Sequence, residues 1–237
     1  MERASDGGHN DIATKITNMN TVLEAFGNAK TRNNDNSSRF GKYLQLYLND
    51  ADAIVSAKTD TYLLEKVRVV RRDANERNYH IFYMMLAGMG ETVRKALHLE
   101  SQDASRYNYL STTGQPPKTL DDATEFRKLE AALDSFGISG QVRENLYKVL
   151  AAIILCGQIE IVDKEGAAVI DSDDEFLHHV AELLGIGVQG LAQCICTSRV
   201  QAAGASPTLS ARTAARAKNA LDTMSKYMYV LVDERAC

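Results

Sequence analysis

Cysteine is scarce in this chain. Cys156, Cys194, Cys196 and Cys237 are the only four in 237 residues, too few to form the disulfide framework of a small secreted domain. Cys194 and Cys196 stand two apart with no histidine or carboxylate cluster beside them, which argues against zinc and for buried or idle thiols. Long apolar runs are lacking too. The most apolar stretch, residues 149–156, falls far short of the roughly 20 residues that span a bilayer. The start, MERASDGGHND, lacks the apolar segment of a secretory signal. Charge of one sign is equally scarce: 27 Lys and Arg against 31 Asp and Glu leave −4, so no basic face invites nucleic acid. A glycine-rich phosphate cradle of the form G-x-x-x-x-G-K-[ST] is missing as well. Gly41-Lys42 is followed by Tyr43 and has no earlier glycine at the right spacing. These absences lead us to expect a soluble, intracellular chain with no nucleic-acid partner and no membrane span.

What is present is a chain 45% hydrophobic, enough for one large domain or two small ones. Residues 1–10 read as a polar, disordered leader. Ile12, Ile16, Met19, Leu23 and Phe26 recur at helical spacing, with Asp11 placed to cap and Gly27-Asn28 to break the helix. Leu44, Leu46 and Leu48 alternate with Gln45 and Tyr47 as in a strand, Asn49-Asp50 marks a turn, and residues 53–57 return as a second strand. Residues 62–88 read as helix interrupted near 73–75, and the run 79–89 is apolar on nearly all sides and therefore buried. Gly114, Pro116 and Pro117 place a loop at 111–120.

The second half reads as mostly helical. Asp121 or Asp122 caps a helix carrying Phe126, Leu129, Leu133 and Phe136, stopped by Gly137. A second helix carries Val142, Leu146, Val149, Leu150, Ile153 and Ile154, and residues 158–170 suit a small hairpin. Phe176, Leu177, Val180, Leu183 and Leu184 form a helix ended by Gly185; Leu191 lies in another, and a last one spans about 209–232.

The chemistry concentrates in residues 24–42, EAFGNAKTRNNDNSSRFGK. Asn33, Asn34, Asp35, Asn36, Ser37 and Ser38 are short polar side chains that bond nearby backbone and disfavour regular structure. Hydroxyls suit Mg²⁺, while amides and backbone N–H groups suit phosphate oxygens. Elsewhere the signals are blander. His178-His179 reads as a solvated pair, because adjacent helix positions point apart. His80 reads as a packed histidine, Met84 and Met85 as core filler, and Lys66, Arg68, Arg71 and Arg72 as a solvated helix face.

Asn34, Ser37, Ser38, Arg39, Phe40, Gly41 and Lys42 resemble the switch I loop of myosin motor domains. The blocks Tyr62-Leu63-Leu64-Glu65-Lys66, Arg68-Val69-Val70, Glu76-Arg77-Asn78-Tyr79-His80-Ile81-Phe82-Tyr83 and Tyr107-Asn108-Tyr109-Leu110-Ser111 resemble the blocks that follow it, in order. The resemblance spans roughly residues 16–232. It implies an α-rich α/β fold: part of a P-loop NTPase-type myosin head, with switch I and a few central-sheet strands over 11–60 and the mainly helical upper 50-kilodalton region over 61–237. It implies ATP and Mg²⁺ as cofactors, actin filaments as partner, an actin-activated ATPase activity and a cytoplasmic, cytoskeleton-associated location. By the same resemblance, Asn34 contacts the phosphates, Ser37 approaches the γ-phosphate or the attacking water, Ser38 ligates Mg²⁺, and Arg39 makes an ion pair with a glutamate of switch II. Ser37 and Arg39 are thus the expected catalytic pair.

The family's phosphate loop belongs ahead of Asp11, and its Asp-Ile-x-Gly-Phe-Glu switch II belongs after the last helix; neither stands in these residues. Arg39 therefore lacks its family partner here, and we expect the chain by itself to be inactive. Cys194-Ile195-Cys196-Thr197-Ser198-Arg199 resembles the step before an actin-touching loop, but residues 200–208 read as a plain surface loop. The alternative from another class is a non-catalytic helical interaction module, or a pseudogene or gene-model fragment, derived from the same family.

Overall fold

The computed structural model describes residues 7–110, 117–201, 206 and 208–236. Helix α1 runs Gly7–Gly27, so Asp11 lies inside it rather than at its cap. A capping residue marks a start only where the residues before it cannot continue the ladder, and 7–10 contain no proline to stop it. Residues 1–6 of the expected leader lie outside the described residues. The helix buries Val22, Leu23, Ala25 and Phe26 and stops at Gly27. A Cβ on Gly27 would stand 2.3 Å from the ring of Phe40, so only glycine lets the chain turn beside that ring.

Two antiparallel ribbons follow. Strand β1, Asn28–Ala29, pairs with β2, Ser37–Ser38, in the register Asn28 to Ser38 and Ala29 to Ser37. Strand β3, Gly41–Leu48, pairs with β4, Ile54–Tyr62. The leucine alternation is therefore a strand, as expected, but its partner runs on to Tyr62, where the sequence pattern placed the start of a helix. Between residues 62 and 79 a single 3-10 turn, Lys66–Val69, is all the helix found. The reason lies in side chains from further along the chain. The Asn78 amide donates to the carbonyls of Arg68 and Val69 at 2.8 and 3.1 Å, which satisfies carbonyls that a continuing helix would otherwise use.

Helix α2, His80–Gly88, has seven of its residues buried, His80 to Leu86, as its all-round apolar pattern requires. It packs between α1 and α4, Asp122–Ser135, after the short helix α3, Glu91–Ala96. The contact with α4 is close: a Cβ on Gly88 would stand 2.4 Å from Phe126 Cβ. Asp121 caps α4, accepting from the N–H of Thr124 at 2.9 Å. Phe136, read as part of the buried face, follows the end of α4 and is exposed. Residues 111–116 of the expected loop lie outside the described residues.

Helix α5, Gly140–Cys156, is buried from Leu150 to Cys156 and packs on α6, Glu175–Leu184, and on α8, Ala214–Ala236. Strands β5, Val162–Lys164, and β6, Ala167–Val169, make the expected hairpin. Gly185 ends α6 in the left-handed conformation at φ +66°. Helix α7 covers Val188–Cys196. The last helix starts at Ala214, not near 209, because Thr208–Ala211 is a strand, β8, paired with β7, Thr197–Val200. Cross-strand pairing with a segment eight or more residues away overrides the local helical spacing there. Among the described residues every sheet is a two-stranded antiparallel ribbon, so the fold is α-rich with small β elements. Its core joins the helices through aromatic contacts: Tyr229 of α8 stacks on Tyr79 at 4.9 Å and donates to the carbonyl of Phe26 at 2.7 Å.

Candidate functional site

The β1–β2 ribbon holds residues 30–36 as a loop with its own internal bonds. Thr31 N–H donates to the carbonyl of Asn34 at 2.8 Å, and Asn34 Oδ1 accepts from the N–H of Asn36 at 2.8 Å, an Asx turn. Asn36 then points inward. Its amide donates to Glu24 at 2.9 Å, and its oxygen accepts from Asn28 at 3.0 Å and faces His80 Nε2 at 3.1 Å. Burial, reinforced by the charge of Arg77, lowers the His80 pKa to about 4. His80 is therefore neutral, and the proton of its ring belongs on Nε2, donating to Asn36. Asp35 accepts from the N–H groups of Lys118 and Thr119 at 2.7 and 3.3 Å. These bonds, the Lys118 one foremost, hold its carboxyl below the usual range.

The residues expected to carry chemistry are brought together only in part. Ser37 and Arg39 meet: the guanidinium donates to Ser37 Oγ at 3.2 Å. Ser38 is exposed and donates to the carbonyl of Phe40 at 2.9 Å, which commits its proton and leaves its oxygen lone pairs as a hard donor. Asn34 is exposed and lines an open concavity with Lys30, Arg32, Lys118 and Thr119; Ser37 and Ser38 do not line it. Lys42 donates to Asn20 at 2.7 Å, tying β3 to α1.

Arg39 does have an acidic partner within the chain. Its Nε donates to Glu65 at 2.7 Å, and the backbone repeats the contact, with Glu65 N–H donating to the carbonyl of Arg39 at 3.0 Å. Burial disfavours the Glu65 charge, but hydrogen bonds from Arg68 and Arg39 outweigh it and lower the carboxyl's pKa. Arg68 overturns the expected solvated helix face. It is buried, bonded to Glu65 and Glu76, both at 2.8 Å. Arg72 is half-buried with a guanidinium N–H on the carbonyl of Tyr109, whereas Lys66 and Arg71 are exposed, as expected. Among the pair read as solvated, His178 is exposed, whereas the ring of His179 stacks on His98 at 3.8 Å. Glu65 and Asn36 are the site residues the sequence reading missed. Their signal was the spacing of short polar and acidic residues around the loop, which carries no information on partners 12 to 44 positions away.

The chain matches the myosin head (motor domain) family over residues 2–233. This chain belongs to the myosin head family. It is 38% identical over 216 residues to Myosin-2A of Naumovozyma castellii, covering 91% of this chain and 14% of that protein. It is 37% identical over 224 residues to Myosin-J heavy chain of Dictyostelium discoideum, covering 92% of this chain and 10% of that protein. Against Myosin-3 of Arabidopsis thaliana it is 38% identical over 229 residues, covering 95% and 20%. The chain thus spans a small part, a fifth or less, of the length of these myosins. The family and its relatives make it a segment of a cytoskeletal motor. Within the described residues of this myosin-head segment, no single helix is long and apolar enough to cross a membrane.

The family generally uses ATP and Mg²⁺, and the loop's donors fit one edge of such a group. Mg²⁺ takes oxygen ligands and keeps several from water and phosphate, needing only one or two from protein. Ser38 has one exposed hydroxyl oxygen of the kind such an ion would take. Among the described residues, no group of three or more His, Cys, Asp or Glu is placed to hold a metal without such help.

Proposed function

We propose that residues 34–42 are switch I of an actin-based myosin motor, the loop that meets the phosphates of ATP and its Mg²⁺. The observation that carries this reading is the β1–β2 ribbon. It presents two successive hydroxyls, Ser37 and Ser38, with the Arg39 guanidinium 3.2 Å from Ser37 Oγ. In this reading Asn34 would bind phosphate oxygens, Ser38 would ligate Mg²⁺, Ser37 would lie at the γ-phosphate or the attacking water, and Arg39 would close the site by pairing with a switch II glutamate. When bound, Mg²⁺ neutralises charge developing on the phosphate oxygens. Residues 11–60 then belong to the nucleotide-facing part of a P-loop NTPase-type head, and residues 61–237 to its upper 50-kilodalton region. Actin filaments are the partner and the cytoskeleton the location.

The same reading makes these 237 residues insufficient by themselves. Phosphoryl transfer rests on positioning and charge stabilisation, and no G-x-x-x-x-G-K-[ST] cradle stands in the sequence. Losing one preorganised donor costs roughly 10²–10³ in rate, so losing a cradle removes useful turnover. Fluorescent-nucleotide titration and phosphate release on the 237-residue chain are expected to show neither tight binding nor turnover; Mg²⁺-dependent turnover would overturn this. In a motor-length myosin carrying this segment, Ser38→Ala is expected to slow Mg²⁺-dependent turnover by roughly 10²-fold or more. An unchanged rate there refutes the switch assignment.

A further inference from the structure

Both arms of the loop end on one buried guanidinium. On the returning arm, Arg39 binds Ser37 and Glu65, and Glu65 accepts from Arg68 Nε at 2.8 Å through the same oxygen that Arg39 uses. On the outgoing arm, Arg32 N–H donates to Glu76 Oε1 at 3.4 Å, and the other oxygen of Glu76 accepts from Arg68 at 2.8 Å. The outgoing arm has two further ties to the same segment. Arg77 N–H donates to the carbonyl of Lys30 at 3.0 Å, and Lys30 Nζ donates to that of Asn75 at 3.2 Å. Arg68 also donates to the carbonyl of Arg77 at 3.1 Å, so its guanidinium is one residue removed from each arm, through Glu65 on one and Glu76 on the other.

We propose that Arg68 is a positioning residue that couples the two arms of the loop, so that residues 30–32 and 37–39 shift together. Four features support this. Arg68 is 5% exposed, and its pair with the equally enclosed Glu76 is little screened by salt. Its two carboxylate partners each have a contact on a different arm. The planar fork of a guanidinium can serve two carboxylates at fixed angles, which a lysine ammonium on a flexible stem does not. Its backbone is pinned by the Asn78 amide, and the backbone of Glu65 by the Tyr79 hydroxyl, which donates to the Glu65 carbonyl at 2.8 Å. Burial works against the charge of Arg68, yet bonds to Glu65 and Glu76 outweigh it and push its pKa up; the hub stays charged at all ordinary pH. The inference deepens the switch reading and rests on it for what the coupling serves: a ligand that moves Ser37 also moves Arg32.

The test is amide hydrogen exchange on the full chain, with no nucleotide present, so its outcome is separate from whether ATP binds. Glu65→Gln removes a charge that touches only the returning arm. It is expected to speed exchange about tenfold at 37–39 and also to speed it at 31–33, while amides of α5 stay unchanged. Acceleration at 37–39 alone overturns the coupling. Glu76→Gln is the reciprocal: it must loosen 37–39. Arg68→Lys, with charge kept and fork lost, is expected to loosen both arms, and Arg71→Lys neither. Should Arg68→Lys also lose protection in α5, the two glutamate variants still decide, because each is read on the arm it does not touch.

Discussion

Leu46 on β3 and Leu133 on α4 occupy apolar positions of equally regular patterns. Leu46 is 46% exposed and Leu133 0%. The difference holds across their regions. In the β3–β4 ribbon, Tyr43, Leu44, Tyr47, Leu48, Val55 and Tyr62 are also exposed, on both faces. In the helical body, α2 is enclosed by α1 and α4, and α5 by α6 and α8. The ribbon is held by its own ladder, by cross-strand pairs and by contacts with α1; the body is held by burial. Period tells which side chains share a face, but a face is buried only if another element covers it.

That contrast can be broken most directly by truncation. Phe82→Ala, at a fully buried site touching Tyr229, is expected to cost about 3–5 kcal/mol in denaturant unfolding. Equal sensitivity at Leu46 would erase the distinction. Next comes pH. His80 is neutral in the folded body because its pKa of about 4 lies below the ordinary 6.5. A base with a depressed folded pKa contributes stability above pH about 6.5 and loses it as pH falls toward 4, here about 3 kcal/mol in all. His80→Gln should flatten the stability curve across that window; an undiminished acid slope would show that another group sets it. Smaller still, Asp121→Ala removes the cap of α4 and is expected to cost about 1 kcal/mol by thermal melting. Arg39→Ala breaks a pair whose partners are about a third exposed and should cost no more than about 1 kcal/mol, with the change confined to loop amides. Smallest is Leu46→Ser on the ribbon, expected within about 0.5 kcal/mol of the parent.

Local chemistry was legible. The cap at Asp121 or Asp122, the stop at Gly185, the burial of 79–86 and a hairpin within 158–170 each rest on residues a few positions apart. The loop's family was legible as well, from Asn34 and the run Ser37 to Lys42 together with the blocks that follow it. What escaped was non-local. Arg68 is spaced like a surface helix residue and lies at the centre of an ion network. His179 stacks on a histidine 81 positions earlier. The strand at 208–211 has helical spacing and pairs with 197–200. Local propensity is worth tenths of a kcal/mol per residue, and tertiary contacts override it.

By itself the sequence determined the class of the chain: helix-rich, myosin-like, carrying a polar loop of hydroxyls and amides without a glycine-rich phosphate cradle. It did so because residue types and short spacings set caps, turns and periodic faces. Only the tertiary structure decided that Arg39 pairs with Glu65, that Arg68 is a buried hub beneath the loop, and that the β3–β4 ribbon stands exposed. Burial and ion pairing depend on which distant segments meet, and no spacing along the chain records that.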